Sequence, residues 1–330
     1  MSEPNPFQTV IQIAGGACVP RCLHVVADLG VADALDDAPR TAAELAASVD
    51  ADPDALGRVL RLLASYGVFE VQGNMVQHSP ASRLMRTDHP QSMRALARMF
   101  GLSPWWASYG EMEYAVRTGR PAAERIFPEG AFAHLAQHPE QSAIFNAAMT
   151  AKAQAHVAGI LACYDWSSFR SVGDIGGGRG HLLKAILDAA PDARGVLFDL
   201  PHVVEEASEI ASDRLALHAG DFFSDPLPAC DAYVVMEVIH DWADDAAIAI
   251  LQAIRQAAPP HARVLVIEQL VPEDPAPHWS KMLDIHMLAL LGGRQRTLQE
   301  YNVLFDYAGL SFQREIDTGM DISILEAAPV

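Results

Sequence analysis

Ten residues, Val172-Gly173-Asp174-Ile175-Gly176-Gly177-Gly178-Arg179-Gly180-His181, restrict the fold of this chain more than any other stretch. Small apolar residues lead into them as a buried strand, and Leu182-Leu183-Lys184-Ala185-Ile186-Leu187 continues from them as a helix. Gly176, Gly178 and Gly180 permit a tight turn and the close approach of a ligand. A strand, a glycine turn and a helix in that order point to a nucleotide-like cofactor. Asp174 narrows the choice. Dinucleotide folds set a phosphate on the helix N-terminus and use G-x-G-x-x-G, whereas a carboxylate facing the loop repels phosphate. A cationic ligand without phosphate fits better.

Strands and helices alternate after Trp166. Strands are expected at Ser171 to Ile175, Gly195 to Phe198, Leu215 to His218, Ala232 to Met236 and Val264 to Glu268. Helices are expected between them at Leu182 to Ala189, Val203 to Ile210 and Ala246 to Ala257. This is the pattern of a doubly wound α/β sheet. The tail, Leu310 to Ile316 and Ile322 to Glu326, adds two strands as a closing hairpin.

The first hundred residues read differently. Phe7 to Leu35 is helical in pattern, Thr41 and Glu44 make a capping box, and a helix follows Asp52-Pro53-Asp54 with Leu56, Val59, Leu60 and Leu63 at helical spacing. Tyr66 to Val71 and Asn74 to Val76 read as a short β-wing, so residues 1–100 are expected to form a winged helix. Residues 101–165 form a helical linker or lid with Trp105, Trp106, Tyr109, Met112, Tyr114, Phe127, Phe132, Phe145 and Met149. Such residues at helical spacing are more often core than pocket, although a lid over a nucleotide domain is a usual place for an apolar substrate site.

Half of the 330 residues are hydrophobic, enough for a substantial core. The net charge of −19 lacks the basic surplus with which nucleic-acid binders displace counterions from phosphate. Residues 1–100 themselves hold 8 Arg and no Lys against 11 acids, which favours packing or dimerisation over DNA reading. Met1 to Pro6 lacks the pattern of a signal peptide, and no run approaches the roughly 18 apolar residues of a membrane helix. Cys18, Cys22, Cys163 and Cys230 are scattered without C-x-x-C spacing, so reduced thiols, no structural zinc and a cytoplasmic location are expected.

In doubly wound sheets, ligands sit at the carboxyl ends of the strands. The first strand of this sheet ends in Asp174 and the glycine turn. The second ends in Asp199-Leu200, where an acid can accept from both ribose hydroxyls. The third ends in Gly220-Asp221-Phe222-Phe223, where a carboxylate can take an adenine amino group and a Phe can cover the ring. The fourth runs through Met236 to His240, an imidazole suited to take a phenol proton as a methyl group is attacked. The fifth ends at Glu268, which can orient His240. Each has a plainer use: Asp199 and Asp221 as caps, His240 as a loop histidine, Glu268 as a solvated strand end, Asp241 and Asp244 as charges at a helix N-terminus. Coincidence at four successive strand ends is the weaker explanation.

Five blocks in order, Asp174-x-Gly-x-Gly-x-Gly, Phe198-Asp199-Leu200-Pro201, Gly220-Asp221-Phe222-Phe223, His240-Asp241-Trp242-Ala243-Asp244 and Gly292-Gly293-Arg294-Gln295-Arg296-Thr297, resemble the S-adenosylmethionine-dependent small-molecule O-methyltransferases. That group includes plant caffeate and hydroxyindole enzymes and bacterial polyketide and phenazine tailoring enzymes. The resemblance spans nearly the whole chain. It implies a Rossmann-like catalytic domain over residues 166–330 and an N-terminal winged-helix domain that makes a homodimer.

The resemblance also implies roles. Asp174, Gly176, Gly178, Gly180, Asp199 and Leu200 would hold the methionine and ribose parts of S-adenosylmethionine, and Gly220, Asp221 and Phe222 the adenine, with Met236 beside it through its backbone. His240 would be the general base and Glu268 one flanking acid. In plant relatives the second acid lies where this chain has Gln295, an amide that can position an imidazole but cannot balance its charge. Asn146, Met149, His286, Met287 and Leu290 match positions that line the pocket for a small aromatic substrate. His286 lies on a helix with alternate faces, where it either packs or hydrogen-bonds a polar substituent of that substrate.

The expected reaction is in-line methyl transfer to a hydroxyl without a metal, leaving S-adenosylhomocysteine. Two rivals stand beside it: a non-methylating relative that uses the bound cofactor for decarboxylation, hydroxylation or cyclisation, and a ligand-responsive DNA-binding regulator. A nicotinamide dehydrogenase is disfavoured by the G-x-G-x-G spacing.

Overall fold

The structure is a computed structural model and describes residues 5–330. Most of the segment Met1 to Pro6, expected to lack a signal-peptide pattern, therefore lies outside the described residues. The chain divides into two compact units. One comprises residues up to Trp106 together with Leu135–Lys152, the other Ala107–His134 together with Ala153–Val330. The segment expected to form a lid is thus divided between them.

The first unit opens with helices Pro6–Ala14, Cys18–Leu29 and Val31–Ala34. Two strong N-caps follow: Thr41 and Glu44 close a capping box on helix Ala42–Ser48, and Asp52 accepts from the Ala55 N–H to start helix Pro53–Ala64. β1 (Arg40–Thr41), β2 (Phe69–Gln72) and β3 (Met75–His78) form an antiparallel sheet in the order β1-β3-β2. The wing is therefore present and has a third, very short strand. Leu56, Leu60 and Leu63 fall on one face of their helix and bury against Val26, Val31, Leu35, Leu45, Phe69 and Val76. Each such side chain stabilises the fold by about 1.5–3 kcal/mol over leaving it exposed.

Helix Pro6–Ala14 is the exception, for it buries nothing, and Phe7, Val10, Ile11 and Ile13 are exposed. The helical stretch Pro6–Leu29 has the length and hydropathy to cross a membrane and is 17% buried. This corrects the expectation that no run approaches that length. Gln8, Gln12, Arg21 and Asp28 interrupt the apolar run, yet its mean hydropathy is 1.5.

The second unit is built on β4 (Ser171–Ile175), β5 (Arg194–Asp199), β6 (Leu215–Ala219), β7 (Ala232–Met236), β8 (Arg263–Glu268), β9 (Leu310–Asp317) and β10 (Ser323–Pro329). They form one sheet in the order β6-β5-β4-β7-β8-β10-β9. The first five strands run parallel, and the hairpin of β9 and β10 joins β8 antiparallel. The valine-rich β7 and β8 are buried along nearly their whole length, as strands covered on both faces must be. One face packs on helices Asp244–Ala257 and Leu298–Ala308 through Ile250, Ile254, Tyr301 and Phe305. The other packs on helix His181–Ala189 through Leu183, Ile186 and Leu187. Strand order reverses at β4, so β5 and β7 flank it and their carboxyl ends open side by side.

Candidate active site

Asp174 sits near the carboxyl end of the central strand, paired with Leu197 of β5 on one side and Val234 of β7 on the other. Its carboxyl is only 2% exposed, and its Oδ2 has no hydrogen-bond partner. Burial, and next the negative charge of Asp199, push its pKa up to about 7. The turn above it runs with φ of +71° at Gly176, +58° at Gly178 and +69° at Gly180, a left-handed path that only glycine follows without strain. Val238 and Phe222 lie over Gly176, where a Cβ would meet them at 2.9 Å and 3.7 Å. Three strand ends thus converge on this turn.

Asp199 fastens the turn from the side. Its Oδ2 accepts from the Gly178 N–H at 2.8 Å and its Oδ1 from the Leu200 N–H at 2.7 Å. Each oxygen keeps a second lone pair for a ligand hydroxyl. Burial raises its pKa, and the two N–H groups partly offset that. Leu200 is exposed. At the end of β6, Gly220 is buried against the Phe198 ring and Asp221 Oδ1 accepts from the Phe223 N–H at 2.9 Å. Phe222, Phe223 and Trp242 form an edge-on aromatic cluster with centroids 4.8 to 5.9 Å apart. Met236, half-buried, ends β7, and Glu237 after it takes a φ of +52°, a left-handed conformation that costs a side-chain-bearing residue about 1 kcal/mol or more.

His240 follows on the 3₁₀ turn Ile239–Asp241 and is 4% exposed. Glu268, fully buried at the end of β8, meets it twice: Oε1 accepts from the His240 main-chain N–H at 3.1 Å, and Oε2 lies 3.0 Å from Nδ1. Gln295 Nε2 lies 2.6 Å from the same Nδ1, while its Oε1 has no partner. The nearer carboxylate, at Nδ1, favours the proton there, and the amide turned by half a rotation sets its oxygen on that N–H as an acceptor. Nε2 is then the nitrogen with a lone pair. Asp284 Oδ1 in turn accepts from the Gln295 N–H at 2.9 Å.

Asp241 and Asp244, read from sequence as charges at a helix N-terminus, do more than that. Asp241 Oδ1 lies 3.4 Å from His240 Nε2, so a second carboxylate does face the imidazole, from the residue next to it. Asp244 is the first residue of helix Asp244–Ala257, and its Oδ1 also accepts from Arg296 Nε and Nη2 at 3.0 and 2.7 Å. Arg296, 1% exposed, donates further to the carbonyls of Ile239 and Trp242. It holds both ends of the turn that carries His240. Only its place inside the Gly292 to Thr297 block pointed to it in the sequence. Gly293 leaves space for the backbone of that turn: a Cβ there would collide with the His240 carbonyl, which accepts from the Arg294 N–H at 2.8 Å.

The remaining expected residues fall in two groups. His286, Met287 and Leu290 share helix Trp279–Leu290, with Met287 and Leu290 buried and His286 half-buried. His286 Nδ1 lies 2.6 Å from the Tyr109 hydroxyl, a contact no sequence signal announced. Asn146 and Met149 are half-buried on helix Pro139–Cys163, three residues apart and so on one face, in the portion belonging to the first unit. Among the described residues no group of three or more His, Cys, Asp or Glu side chains is placed to hold a metal.

A positively charged ligand suits the glycine turn, because a buried carboxylate with an unpartnered oxygen lies directly beneath it. The comparisons with known proteins agree with that chemistry. Residues 109–311 match the O-methyltransferase domain family and residues 11–88 the O-methyltransferase dimerisation domain. A phenazine O-methyltransferase of Lysobacter antibioticus is 39% identical over the whole of both chains. A mitomycin biosynthesis 6-O-methyltransferase of Streptomyces lavendulae is 35% identical over 94% of this chain and 91% of its own. The solved structure of human N-acetylserotonin methyltransferase in complex with S-adenosylmethionine superposes with a TM-score of 0.89 at 28% identity, covering 99% of each chain. The chain belongs to the S-adenosylmethionine-dependent O-methyltransferases that carry an N-terminal dimerisation domain.

Proposed function

We propose that this enzyme methylates a phenol-type hydroxyl on a planar aromatic secondary metabolite, with His240 as general base. The observation that carries the reading is the buried Glu268 carboxylate 3.0 Å from Nδ1, a negative charge that favours the proton on that nitrogen and so presents Nε2 as the base. The relatives act on phenazine and mitomycin scaffolds, which are polycyclic. Asp174 beneath the glycine turn and Asp199 beside it would hold the methionine and ribose parts of S-adenosylmethionine, and Asp221 and Phe222 the adenine. When bound, that cofactor supplies a methyl group on a cationic sulfur.

His240 Nε2 takes the hydroxyl proton as the oxygen becomes nucleophilic. Imidazole, with a pKa of about 6.5, is a weak base for a phenol near about 10, so the proton must leave as the new bond forms rather than before it. Asp241, 3.4 Å from Nε2, then faces the imidazolium and supplies the charge that Gln295 lacks. Glu268 balances the same cation from the Nδ1 side. Arg296 keeps the turn in place, so the reaction draws mainly on alignment.

In this reading residues 1–100 serve dimerisation and residues 166–330 hold cofactor and base. The exposed Phe7, Val10, Ile11 and Ile13 support a homodimer through the N-terminal helices. All four cysteines are thiols, which suits the reducing cytoplasm.

The test is incubation with S-adenosylmethionine and a panel of hydroxylated phenazines and naphthalenes. A mass gain of one methylene unit, lost on O-demethylation, supports the reading. Consumption of cofactor without that gain, or loss of carbon dioxide from the acceptor, favours the non-methylating alternative.

A further inference from the structure

The sheet has a second end, opposite the glycine turn. Arg170, Asp231 and Arg263 stand at the amino ends of β4, β7 and β8 and line an open cleft of about 780 Å³, a size usual for small-molecule sites. Strands of five or six residues separate the two ends by roughly 15–20 Å. The cleft is therefore no part of the site that holds His240. Its most buried charge is Glu326 of β10, 7% exposed. Glu326 Oε2 accepts from the Tyr164 hydroxyl at 3.0 Å and from Arg314 Nε and Nη2 at 3.0 and 2.9 Å, and Oε1 lies 3.2 Å from Arg263 Nε. Asp231 is engaged as well: Oδ2 accepts from the N–H groups of Arg170 and Ser171 at 2.9 and 3.2 Å, and Oδ1 lies 3.0 Å from His261 Nε2. These two acids are occupied while donors are left over. Among the described residues, Arg263 Nη2, Arg314 Nη1 and the whole Arg170 guanidinium meet no acceptor. One wall is aromatic, with the Tyr164 and Phe169 rings within 12° of parallel at 6.1 Å and Arg314 over the Tyr164 ring at 5.8 Å.

We propose that this cleft is a second, non-catalytic binding site for a small aromatic anion. Arg170 takes its phosphate or carboxylate together with the spare N–H groups of Arg263 and Arg314, and its ring lies against Phe169 and Tyr164. The planar fork of a guanidinium matches the oxygen spacing of either anion, and an aromatic wall gives a flat ring a large contact area. Glu326 holds Arg263 and Arg314 in place and offsets part of their charge, so Arg170, without a carboxylate partner, supplies the charge the ligand answers. In a chain of net charge −19 such a concentration of unfilled cationic donors is a local exception. The inference stands apart from the methyl-transfer reading, since none of these residues belongs to it.

The test is calorimetry on the full chain saturated with S-adenosylhomocysteine, titrated with phenyl phosphate, benzoate, inorganic phosphate and phenol. Phenyl phosphate or benzoate is expected to bind at one site per chain, and the tighter of the two identifies the anion. Inorganic phosphate binds more weakly and phenol not at all. Arg170→Gln weakens the aromatic anion by about 10- to 100-fold, the range of charge-assisted hydrogen bonds, and leaves melting and methyl transfer unchanged because that guanidinium holds nothing in the protein. Phe169→Leu weakens the ring-bearing probe and spares inorganic phosphate. Arg58→Gln, an exposed arginine of the first unit, changes nothing. The proposal is overturned if neither aromatic anion binds at millimolar concentration or if S-adenosylhomocysteine displaces it. It is overturned equally by an affinity that survives Arg170→Gln, by one that falls as far in Arg58→Gln, or by equal affinities for phenyl phosphate and inorganic phosphate.

Discussion

Glu268 grips His240 at two points with one carboxylate, the main-chain N–H at 3.1 Å through Oε1 and Nδ1 at 3.0 Å through Oε2. The same residue therefore sets where the imidazole stands and places a negative charge beside its Nδ1. β7 and β8 are neighbours in the sheet, so the base on the turn after one strand falls against the last residue of the next.

His240→Ala is expected to lower kcat by about 10²- to 10⁴-fold, the usual contribution of a general base. The Kd for S-adenosylmethionine should stay within a few-fold of wild type, because the residues proposed to hold the cofactor are Asp174, Asp199 and Asp221 and not His240. Single-turnover methylation together with calorimetry checks both numbers, and undiminished turnover would remove His240 from the mechanism.

Asp174 sets a pH dependence whose sign runs against the usual one for carboxylates. Unfolded, it titrates near about 4; folded, near about 7. Between those values the folded state keeps a proton that the unfolded state has released. Its contribution to stability is thus full below about pH 4 and is lost as the pH rises through about 7. Asp174→Asn should melt with the wild type near pH 4 and above it at pH 8, by an amount on the order of a few kcal/mol. The same variant should bind S-adenosylmethionine more weakly at pH 8, where the wild type offers a carboxylate to a cation. Melting curves that differ by a constant amount at every pH would contradict this.

Arg296→Met removes five donated hydrogen bonds, two to the Asp244 carboxylate, one to the Arg294 carbonyl and two that tie down the turn at the carbonyls of Ile239 and Trp242, which are left to find other partners. Asp244 is half exposed and recovers water, which limits the penalty to about 2–4 kcal/mol. Chemical denaturation reads that loss. Turnover should fall with it at temperatures where the variant is still folded, because the turn carrying the base is no longer pinned. Stability unchanged within about 0.5 kcal/mol would show that Arg296 is not its anchor.

A Val10→Asp, Ile13→Asp double variant is expected to shift the protein from dimer to monomer, since two carboxylates on that exposed apolar helix resist burial against a second copy. Light scattering at matched concentrations measures it. A dimer that persists in the variant takes this helix out of the interface.

The sheet was legible because its strands are β-branched runs bounded by turn residues, as in Tyr233-Val234-Val235 and Val264-Leu265-Val266. The position of Asp174, Asp199 and His240 at or just after the carboxyl ends of neighbouring parallel strands was legible because it follows from the strand pattern alone. Other parts depend on the path of the chain through space. Asp241 reads as a helix charge until a 3₁₀ turn folds it back toward Nε2. Arg296 reaches carbonyls 54 and 57 residues away, and Tyr109 meets a histidine 177 residues away. Pairings at such separations leave no periodic trace. The wing and its caps were read correctly, yet the exposed apolar face of Pro6–Ala14 was hidden by the interspersed glutamines.

The block Gly292 to Thr297 combines four structural roles in six residues. Gly293 makes room for the His240 carbonyl, Gln295 touches the imidazole, Arg296 pins the turn and Thr297 caps helix Leu298–Ala308. No residue can be gained or lost inside it without dislodging all four. Divergence of the base's surroundings is therefore confined to exchange of one side chain at a time, and position 295 is where such an exchange alters the charge beside the imidazole while the spacing survives.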